Sequence, residues 1–158
     1  MNQITPEAAD RAISVGNAAN QIVTFYLANQ RCGVPALSVH EVLRPQPITH
    51  VPLAPPEIAG TMNLRGHIVL TINTRVRLSL PPVDETVKRM CIVVDSDQEQ
   101  YCLMVDRVGD VLTVDPLEIE PNPASLEQIW MSVASGVYSD NGDIIVLLDI
   151  KKLVASDY

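Results

Sequence analysis

The sequence predicts an all-β protein built from two similar small barrels, and three observations support this. The segment Gly60–Leu78 recurs as Gly136–Val154 with a constant offset (136 − 60 and 142 − 66 both equal 76), and glycines align at both positions. A repeated strand–turn–strand unit predicts two similar subdomains packed together. Short apolar stretches alternate with turn signals every ~8–12 residues, which is typical of β-barrels and β-sandwiches. Finally, 47% of the residues are hydrophobic but only one is Phe and one is Trp, so the core must be aliphatic.

The chain divides into a short N-terminal segment and one folded region. Residues 1–20 carry few large apolar side chains, which predicts either a frayed helix starting near Pro6 or a mobile tail. Residues 21–158 are expected to form the folded domain. The most polar segment in the middle of the chain predicts a break near residues 81–88 between the two barrel subdomains.

The first half of the folded region reads as extended segments joined by turns. Apolar residues occupy alternate positions over 23–27, which predicts a half-buried strand. A polar turn and a returning strand from Cys32 follow. Pro35 cannot donate to a β-ladder, so it is expected at an edge or a bend. Residues 39–43 predict a further strand, and the prolines between residues 45 and 56 predict a rigid connector.

The second half resembles the first, with one insertion. Residues 90–95, 101–105 and 111–114 predict strands, and the segment around 111 aligns with the first half at an offset of 69 rather than 76 (111 − 42). About seven residues are therefore inserted before the second hairpin, and we place them within 121–130, where apolar spacing favours a short helix. Asn141-Gly142 is a strong hairpin-turn signal.

Charge excludes several classes of partner. The formal net charge is −8, which argues against nucleic-acid binding because that requires a basic face. It also disfavours adsorption on anionic lipid. No apolar run approaches the ~18 residues that span a bilayer, and the first residues lack the layout of a signal peptide. We therefore expect a cytoplasmic protein with no direct membrane insertion.

The residues offer no recognisable catalytic, cofactor or metal site. Cys32, Cys91 and Cys102 lie in apolar, strand-like contexts without a Cys-x-x-Cys pair, which predicts buried, reduced thiols. The three histidines are spread over different segments without metal-ligand spacing. Phosphate-binding glycine loops and nucleophile elbows do not occur. The sequence thus predicts a protein without metal or cofactor, and not an enzyme.

One stretch carries a family resemblance. Residues 58–69 read I-A-G-T-M-N-L-R-G-H-I-V, which resembles the CheW family signature G-x-x-N-L-R-G-x-I-V-P-V-I-D-L-R. Upstream, residues 32–34 and 39–42 resemble its Y-G-I and V-x-E-I. Downstream, residues 105–108 resemble its V-D-x-V. The resemblance covers about residues 21–154, and the N-L-R-G motif in this setting is specific. Departures from the pattern are Cys32 for Tyr, Leu70 for Pro, and Asn73-Thr74 for Asp-Leu.

The resemblance implies a fold, an activity and partners. CheW-like proteins consist of two five-stranded, SH3-like β-barrels around a shared hydrophobic core, with short helices. They are non-enzymatic adaptors of bacterial chemotaxis that link transmembrane chemoreceptors to the histidine kinase CheA. They bind the regulatory domain of CheA and the cytoplasmic tip of the receptors, methyl-accepting chemotaxis proteins. A cytoplasmic location with recruitment to membrane-associated receptor arrays follows from this resemblance.

The resemblance also points to a set of receptor-binding residues. Arg65 stands beside a tight turn where the second repeat has Asn141, and the family motif implies a role in receptor contact or in support of the contact face. An ordinary solvated turn residue is the alternative. The other expected members of the set lie on the same turn, on the strand that carries the V-x-E-I motif, and on the opposite wall of a groove between the barrels: Val39, Glu41, Asn63, Gly66, Val105 and Val108. Core packing is the alternative for the three valines, and a structural role in the turn is the alternative for Asn63 and Gly66.

Two further interpretations stay open at this stage. One is a CheW-like scaffold of another chemosensory pathway, for example one that governs twitching motility. The other is a small β-barrel enzyme with an unrecognised site, which a deep pocket enclosing converging titratable groups would support.

Overall fold

The computed structural model describes residues 20–84 and 87–155 of the chain. Ten strands are present in these ranges. They are β1 Gln21–Leu27, β2 Gln30–Pro35, β3 Val39–Leu43, β4 Ile58–Leu64, β5 His67–Asn73, β6 Met90–Ser96, β7 Glu99–Val105, β8 Arg107–Thr113, β9 Ala134–Asp140 and β10 Asp143–Leu148. The prediction of an all-β protein is confirmed. The expected tail over residues 1–20 lies, apart from Asn20, outside the described residues.

Helical structure in the described ranges is confined to short pieces. The helices are α1 Thr74–Arg77, α2 Gln128–Met131 and α3 Ile150–Val154, with 3-10 turns at Ala36–Ser38 and Pro116–Glu118. Helix α2 falls in the predicted insertion and buries Trp130 against the core. None of these helices has the length and apolar character needed to span a bilayer.

The strands form two five-stranded sheets, and each sheet contains strands from both halves of the repeated sequence. The first sheet has the order β8-β1-β2-β10-β9 and the second has the order β3-β6-β7-β5-β4. Each sheet therefore combines a hairpin from one half of the chain with three strands from the other. The segment near residues 81–88, expected to divide the two subdomains, lies instead between β5 and β6, which belong to the same sheet. It separates the sequence repeats but not the sheets.

The two repeated hairpins have matching structures. Strands β4 and β5 and helix α1 begin at residues 58, 67 and 74, and strands β9 and β10 and helix α3 begin at 134, 143 and 150, each 76 residues later. Asn73 and Asp149 cap the two helices, because their side chains accept hydrogen bonds from the backbone N–H groups of Val76 and Lys152. The equivalence predicted from the sequence offset is confirmed.

Irregularities in the sheets are repeated as well. In each hairpin a bulge occurs at the same place, beside Gly60 in β4 and beside Gly136 in β9. An isolated bridge then joins the incoming connector to each hairpin, Thr49 to Thr61 and Glu120 to Val137. Glycine is required at residue 60 because φ is +148° and a Cβ atom would overlap the carbonyl oxygen of Thr49.

One hydrophobic core lies between the sheets, so the prediction of a shared core is confirmed. Both sheets contribute fully buried aliphatic side chains to it, together with Phe25 and Trp130. The main aliphatic members from the first sheet are Leu27, Val34, Val146 and Leu148, and those from the second are Ile58, Ile72, Ile92, Leu103 and Val105.

Asp106 holds the point where the chain passes from the second sheet to the first. Its carboxylate accepts hydrogen bonds from Arg75 Nε and Nη2, at 2.9 and 2.7 Å, and from the backbone N–H of Ala28, at 2.7 Å. Its own backbone N–H donates to the Tyr26 carbonyl. Burial opposes ionisation of Asp106, but the hydrogen bonds from Arg75 and Ala28 outweigh it and lower the pKa of the carboxyl. Asp106 therefore ties β1, α1 and β8 together.

Candidate functional site

The turn of the first hairpin places Arg65 in an unusual backbone conformation. Arg65 has φ of 50° and Gly66 has φ of 87°, the pattern of a two-residue type I′ turn. The backbone N–H of Gly66 donates to Asn63 Oδ1 at 2.9 Å, which stabilises the turn. Glycine and asparagine tolerate positive φ, whereas a long side chain there costs about 1 kcal/mol. The sequence thus places an arginine where turn stability alone favours asparagine.

Arg65 forms an ion pair with Glu41 across the second sheet. Arg65 Nη2 donates to Glu41 Oε2, and the two side chains are 68% and 23% exposed. Glu41 lies on β3 and Arg65 follows β4, and these are the two edge strands of that sheet. The sheet therefore curls far enough for one ion pair to join its edges. His40, at a bulge in β3, lies 3.9 Å from the carboxylates of both Glu41 and Asp95.

A broad open groove of about 880 Å³ lies beside this ion pair. Its lining comes entirely from the strands and turns of the second sheet and combines charged and polar side chains with aliphatic ones. Ile68 lines it and is 67% exposed. The other lining residues are His40, Leu64, Arg65, His67, Val69, Leu70, Asp95, Gln98, Glu99, Gln100 and Tyr101.

The equivalent surface of the first sheet lacks the ion pair. The repeat aligns Glu41 with Asp110 and Arg65 with Asn141, and the cation near the second turn is instead Arg31 of β2, which pairs with Asp140 and Asp143 on either side of that turn. Asn141 has φ of 52°, close to that of Arg65. The two turns thus share a backbone conformation and differ in side-chain chemistry. This difference marks the Arg65 face as specialised.

The residues expected to bind the receptor do not form one cluster. Glu41, Asn63, Arg65 and Gly66 are brought together as described above. Val105 is fully buried in the shared core, so its expected role in receptor contact is corrected: its side chain is unavailable to a partner. The alternation of residues along β7 does not reveal this burial, because the strand is covered on both faces near its end.

Val39 and Val108 border the core rather than the groove. Val39 begins edge strand β3 and Val108 is the second residue of edge strand β8, in different sheets, and both are half-buried against the shared core. The seam between the sheets holds an open pocket of about 360 Å³, lined in part by Ser38 next to Val39. Three carboxylates, of Asp95, Asp97 and Asp149, also line this seam pocket.

Several residues of this surface were missed by sequence reasoning. Ile68 reads as an ordinary member of an apolar strand, and only its exposure reveals it. His40 and Asp95 are distant in sequence and meet because β3 pairs with β6. The one available signal was the alignment of the repeats, in which Arg65 against Asn141 is a difference in side-chain chemistry at equivalent turns.

The arrangement suits binding of an extended or helical partner. A groove that offers both aliphatic and charged side chains can receive an amphipathic helix. In the described part of the chain, no group of three or more His, Cys, Asp or Glu side chains is arranged to hold a metal ion.

Comparisons with known proteins agree with this geometry. The CheW-like domain model matches residues 21–157. The chain is 29% identical over 141 residues to chemotaxis protein CheW of Rhizobium meliloti, covering 89% of this chain and 91% of that protein. It is 29% identical over 137 residues to chemotaxis protein CheW of Klebsiella aerogenes, covering 87% of this chain and 82% of that protein.

A solved structure has the same fold. The crystal structure of the scaffolding protein TtCheW from Thermoanaerobacter tengcongensis matches with a TM-score of 0.80 at 28% identity, covering 88% of this chain and 94% of that one. The family match spans most of the sequence and both sheets. The chain therefore belongs to the CheW-like domain family of chemotaxis scaffold proteins.

Proposed function

We propose that this chain is a non-enzymatic adaptor that couples transmembrane chemoreceptors to the histidine kinase CheA. The observation that carries the proposal is the Arg65–Glu41 ion pair beside the open groove of the second sheet. The family membership supports the same role. In the cell the adaptor is cytoplasmic and is recruited to membrane-associated receptor arrays.

The receptor-binding surface in this proposal centres on Arg65 and Glu41. A receptor tip is a helical hairpin, so it needs an apolar floor and a polar rim. Ile68 supplies floor area, and Arg65 offers a planar fork of donors that can bind carboxylates or backbone carbonyls. Because Arg65 is mostly exposed, its ion pair with Glu41 adds little stability. Retention of a strained arginine there is best explained by binding.

Replacing Arg65 with asparagine is expected to weaken receptor binding about 10-fold without loss of stability. Arg65→Asn gives the first turn the residue of the second, and asparagine tolerates φ of 50° better than arginine. The measurement is calorimetric titration with a receptor tip fragment, and thermal unfolding verifies the fold. An unchanged receptor affinity would show that Arg65 is an ordinary solvated turn residue with no part in receptor binding.

A matched pair of variants, each lacking one carboxylate, distinguishes a local effect at Glu41 from a general effect of net charge. Glu41→Gln and Asp110→Asn each remove one carboxylate at equivalent positions of the two sheets. Glu41→Gln is expected to weaken receptor binding, whereas Asp110→Asn leaves it unchanged. Equal losses in both variants would show that net charge, and not this site, governs binding.

Val39→Asp is expected to weaken receptor binding while kinase binding stays nearly intact. Val39 lies on β3 two residues before Glu41 and packs against the shared core, so a charge there disturbs the strand that presents Glu41. Because Val39 is half-buried, circular dichroism and a melting curve must first show a folded variant. If both affinities fall together in a folded variant, the two partners do not use different faces.

Binding of the kinase regulatory domain is expected to change little with salt. That domain is itself CheW-like, and we propose that it pairs barrel to barrel through aliphatic residues away from Arg65. Ile144 and Val111, 47% and 54% exposed on the first sheet, offer such a surface. Buried aliphatic hot spots are worth about 2 kcal/mol each. Titrations across a range of salt concentrations measure this, and loss of binding at moderate salt would indicate an electrostatic interface.

A scaffold role in another chemosensory pathway is the second candidate. The same surface would serve that role, because a receptor helix offers similar chemistry in both pathways. Titration against tip fragments from each receptor class of the host distinguishes the two.

A further inference from the structure

The two sheets differ in how far their parallel ladders extend. The repeat makes β2 and β10 of the first sheet equivalent to β7 and β5 of the second, with offsets of 69 (99 − 30) and 76 (143 − 67). In the first sheet the β10–β2 ladder begins at the pair Ile145 and Arg31. The structure describes their equivalents, Val69 and Gln100, but the β5–β7 ladder begins only at the next residue of each strand. The second sheet therefore opens one residue earlier, at the end that borders the groove.

This opening leaves one backbone position of β5 facing the groove. Leu64 and His67 are the closing pair of the two-residue turn, and such a pair is hydrogen-bonded in hairpins of this type. The next residue, Ile68, therefore directs its N–H and C=O away from β4 and toward β7. Because the β5–β7 ladder begins at Leu70, both groups lie beyond its end within the described chain. Ile68 thus presents a backbone donor and acceptor side by side at the groove.

The first sheet shows what closes the equivalent opening. Gln30 donates from Nε2 to the carbonyl oxygen of Ile144 at 3.1 Å. Ile144 is the equivalent of Ile68 (144 − 76), and Gln30 is the equivalent of Glu99 (99 − 30). Beside this hydrogen bond, the ion pairs of Arg31 tie β2 to both sides of the second turn. A side-chain carboxamide therefore occupies this backbone position in one half of the protein.

The second sheet has different side chains at these positions. Glu99 stands where the first sheet has Gln30, and a carboxylate accepts hydrogen bonds but donates none. Glu99 accepts from the Tyr101 hydroxyl at 3.2 Å. Gln100 replaces Arg31, and a leucine and a histidine replace the two aspartates that Arg31 binds. The opening is consequently part of the groove of about 880 Å³.

We propose that this opening binds a side-chain carboxamide, of asparagine or glutamine, presented by a helix of the partner. The inference rests on the proposed receptor coupling and names a chemical group that the receptor tip must offer. A carboxamide carries a donor and an acceptor side by side, so it can pair with the C=O and the N–H of Ile68 together. Its amide nitrogen would donate to Ile68 as that of Gln30 donates to Ile144.

Other chemical groups match the opening less well. A carboxylate can only accept, and it would approach the carboxylates of Asp95 and Glu99 in the groove lining. An ammonium or guanidinium group can only donate, so the Ile68 N–H would stay without an acceptor. An extended strand needs a row of open backbone groups, whereas His67 belongs to the turn and Leu70 to the ladder. A single amide therefore fits the single open residue.

A variant of this chain can fill the opening from within. Glu99→Gln gives the second sheet the amide that Gln30 supplies in the first, within the same groove lining as Ile68. This variant is expected to weaken binding of a receptor tip fragment about 10-fold in calorimetric titration. Glu99→Ala removes the same charge without supplying an amide, so it should bind the fragment more tightly than Glu99→Gln does. Thermal unfolding verifies that each variant is folded.

The matched control is the reverse exchange in the first sheet. Gln30→Glu removes the amide from Ile144 and should leave receptor affinity unchanged. On the receptor side, each asparagine and glutamine of the fragment is replaced by alanine in turn, and one replacement is expected to weaken binding about 10-fold. That loss should shrink when it is measured against Glu99→Gln, because the opening is already filled. Binding of the unmodified fragment should also slow hydrogen exchange of the Ile68 N–H, measured by NMR.

Failure of the inference differs from failure of the receptor coupling. If the wild-type chain binds no receptor tip fragment, the coupling is wrong and the inference falls with it. If the wild-type chain binds but Glu99→Gln binds as tightly, or no more weakly than Glu99→Ala, the opening takes no carboxamide. An equal loss in Gln30→Glu, or a fragment in which no asparagine or glutamine matters, would overturn the inference as well. Slower exchange of the Ile68 N–H in that last case would indicate a backbone strand instead.

Discussion

Replacing Asp106 with alanine is expected to lower the free energy of unfolding by about 3 kcal/mol at neutral pH, because one partner of a buried ion pair is removed. Arg75 and Asp106 are only 13% and 16% exposed, so the Arg75 guanidinium would lose its two hydrogen bonds in a largely dry setting. The Ala28 backbone N–H would lose its acceptor as well. Urea unfolding of the wild type and the variant measures the difference.

The same carboxylate predicts a pH dependence. The folded-state pKa of Asp106 lies below its unfolded value, which is near 3.9. Its contribution is therefore complete above about pH 4 and is lost as the pH falls through the folded pKa. The stability difference between wild type and Asp106→Asn should stay constant from about pH 7 to 5 and shrink below about pH 4. A difference that is absent at pH 7 would contradict the role given to this ion pair.

Replacing Gly60 with alanine is expected to lower the free energy of unfolding by about 3 kcal/mol or more. The added Cβ atom would overlap the carbonyl oxygen of Thr49 and crowd Ile48, and φ of +148° is accessible almost only to glycine. The bridge between Thr49 and Thr61 would have to open, which frees the connector from β4.

Gly66→Ala serves as the matched control for Gly60→Ala. Gly66 has φ of +87°, but a Cβ atom there would have no neighbour within 4 Å. It should cost only about 1 kcal/mol, from backbone strain alone. Equal losses in the two variants would show that close packing of the connector is not what Gly60 provides.

Local features were predictable from the sequence, and long-range pairing was not. The constant offset between the repeats predicted the matching hairpins, because turn glycines and alternation are local signals. The exchange of strands between the halves was missed, because the β1–β2 hairpin could equally have joined the other strands of its own half. Nothing local distinguishes these pairings, and the loop at residues 81–88 looked like a boundary for the same reason.

The candidate site was predictable only in part. Arg65 and Glu41 were found because a motif and a broken repeat drew attention to them, and their ion pair then joined them in space. Val105 was expected on the wall of a groove and is instead fully buried, because strand alternation does not show which strands are covered on both faces. Asp106 was noticed only as part of a motif. Its partners are 31 and 78 residues away in sequence.

Sulfur chemistry illustrates the same limit. The three cysteines were predicted to be buried and unbonded, and they are. The position of Cys91 opposite Met104 could not be predicted, because only the register of β6 with β7 brings them together.

The central claim, that this chain joins a receptor to the kinase CheA, is tested most directly by reconstitution. Receptor tip fragments are immobilised, and the regulatory domain of CheA is added with and without this chain. The kinase domain is expected to be retained only when the chain is present, and Arg65→Asn should reduce retention even though it still binds the kinase domain in solution. Retention of the kinase domain without the chain, or no retention with it although the chain is folded, would contradict the adaptor role.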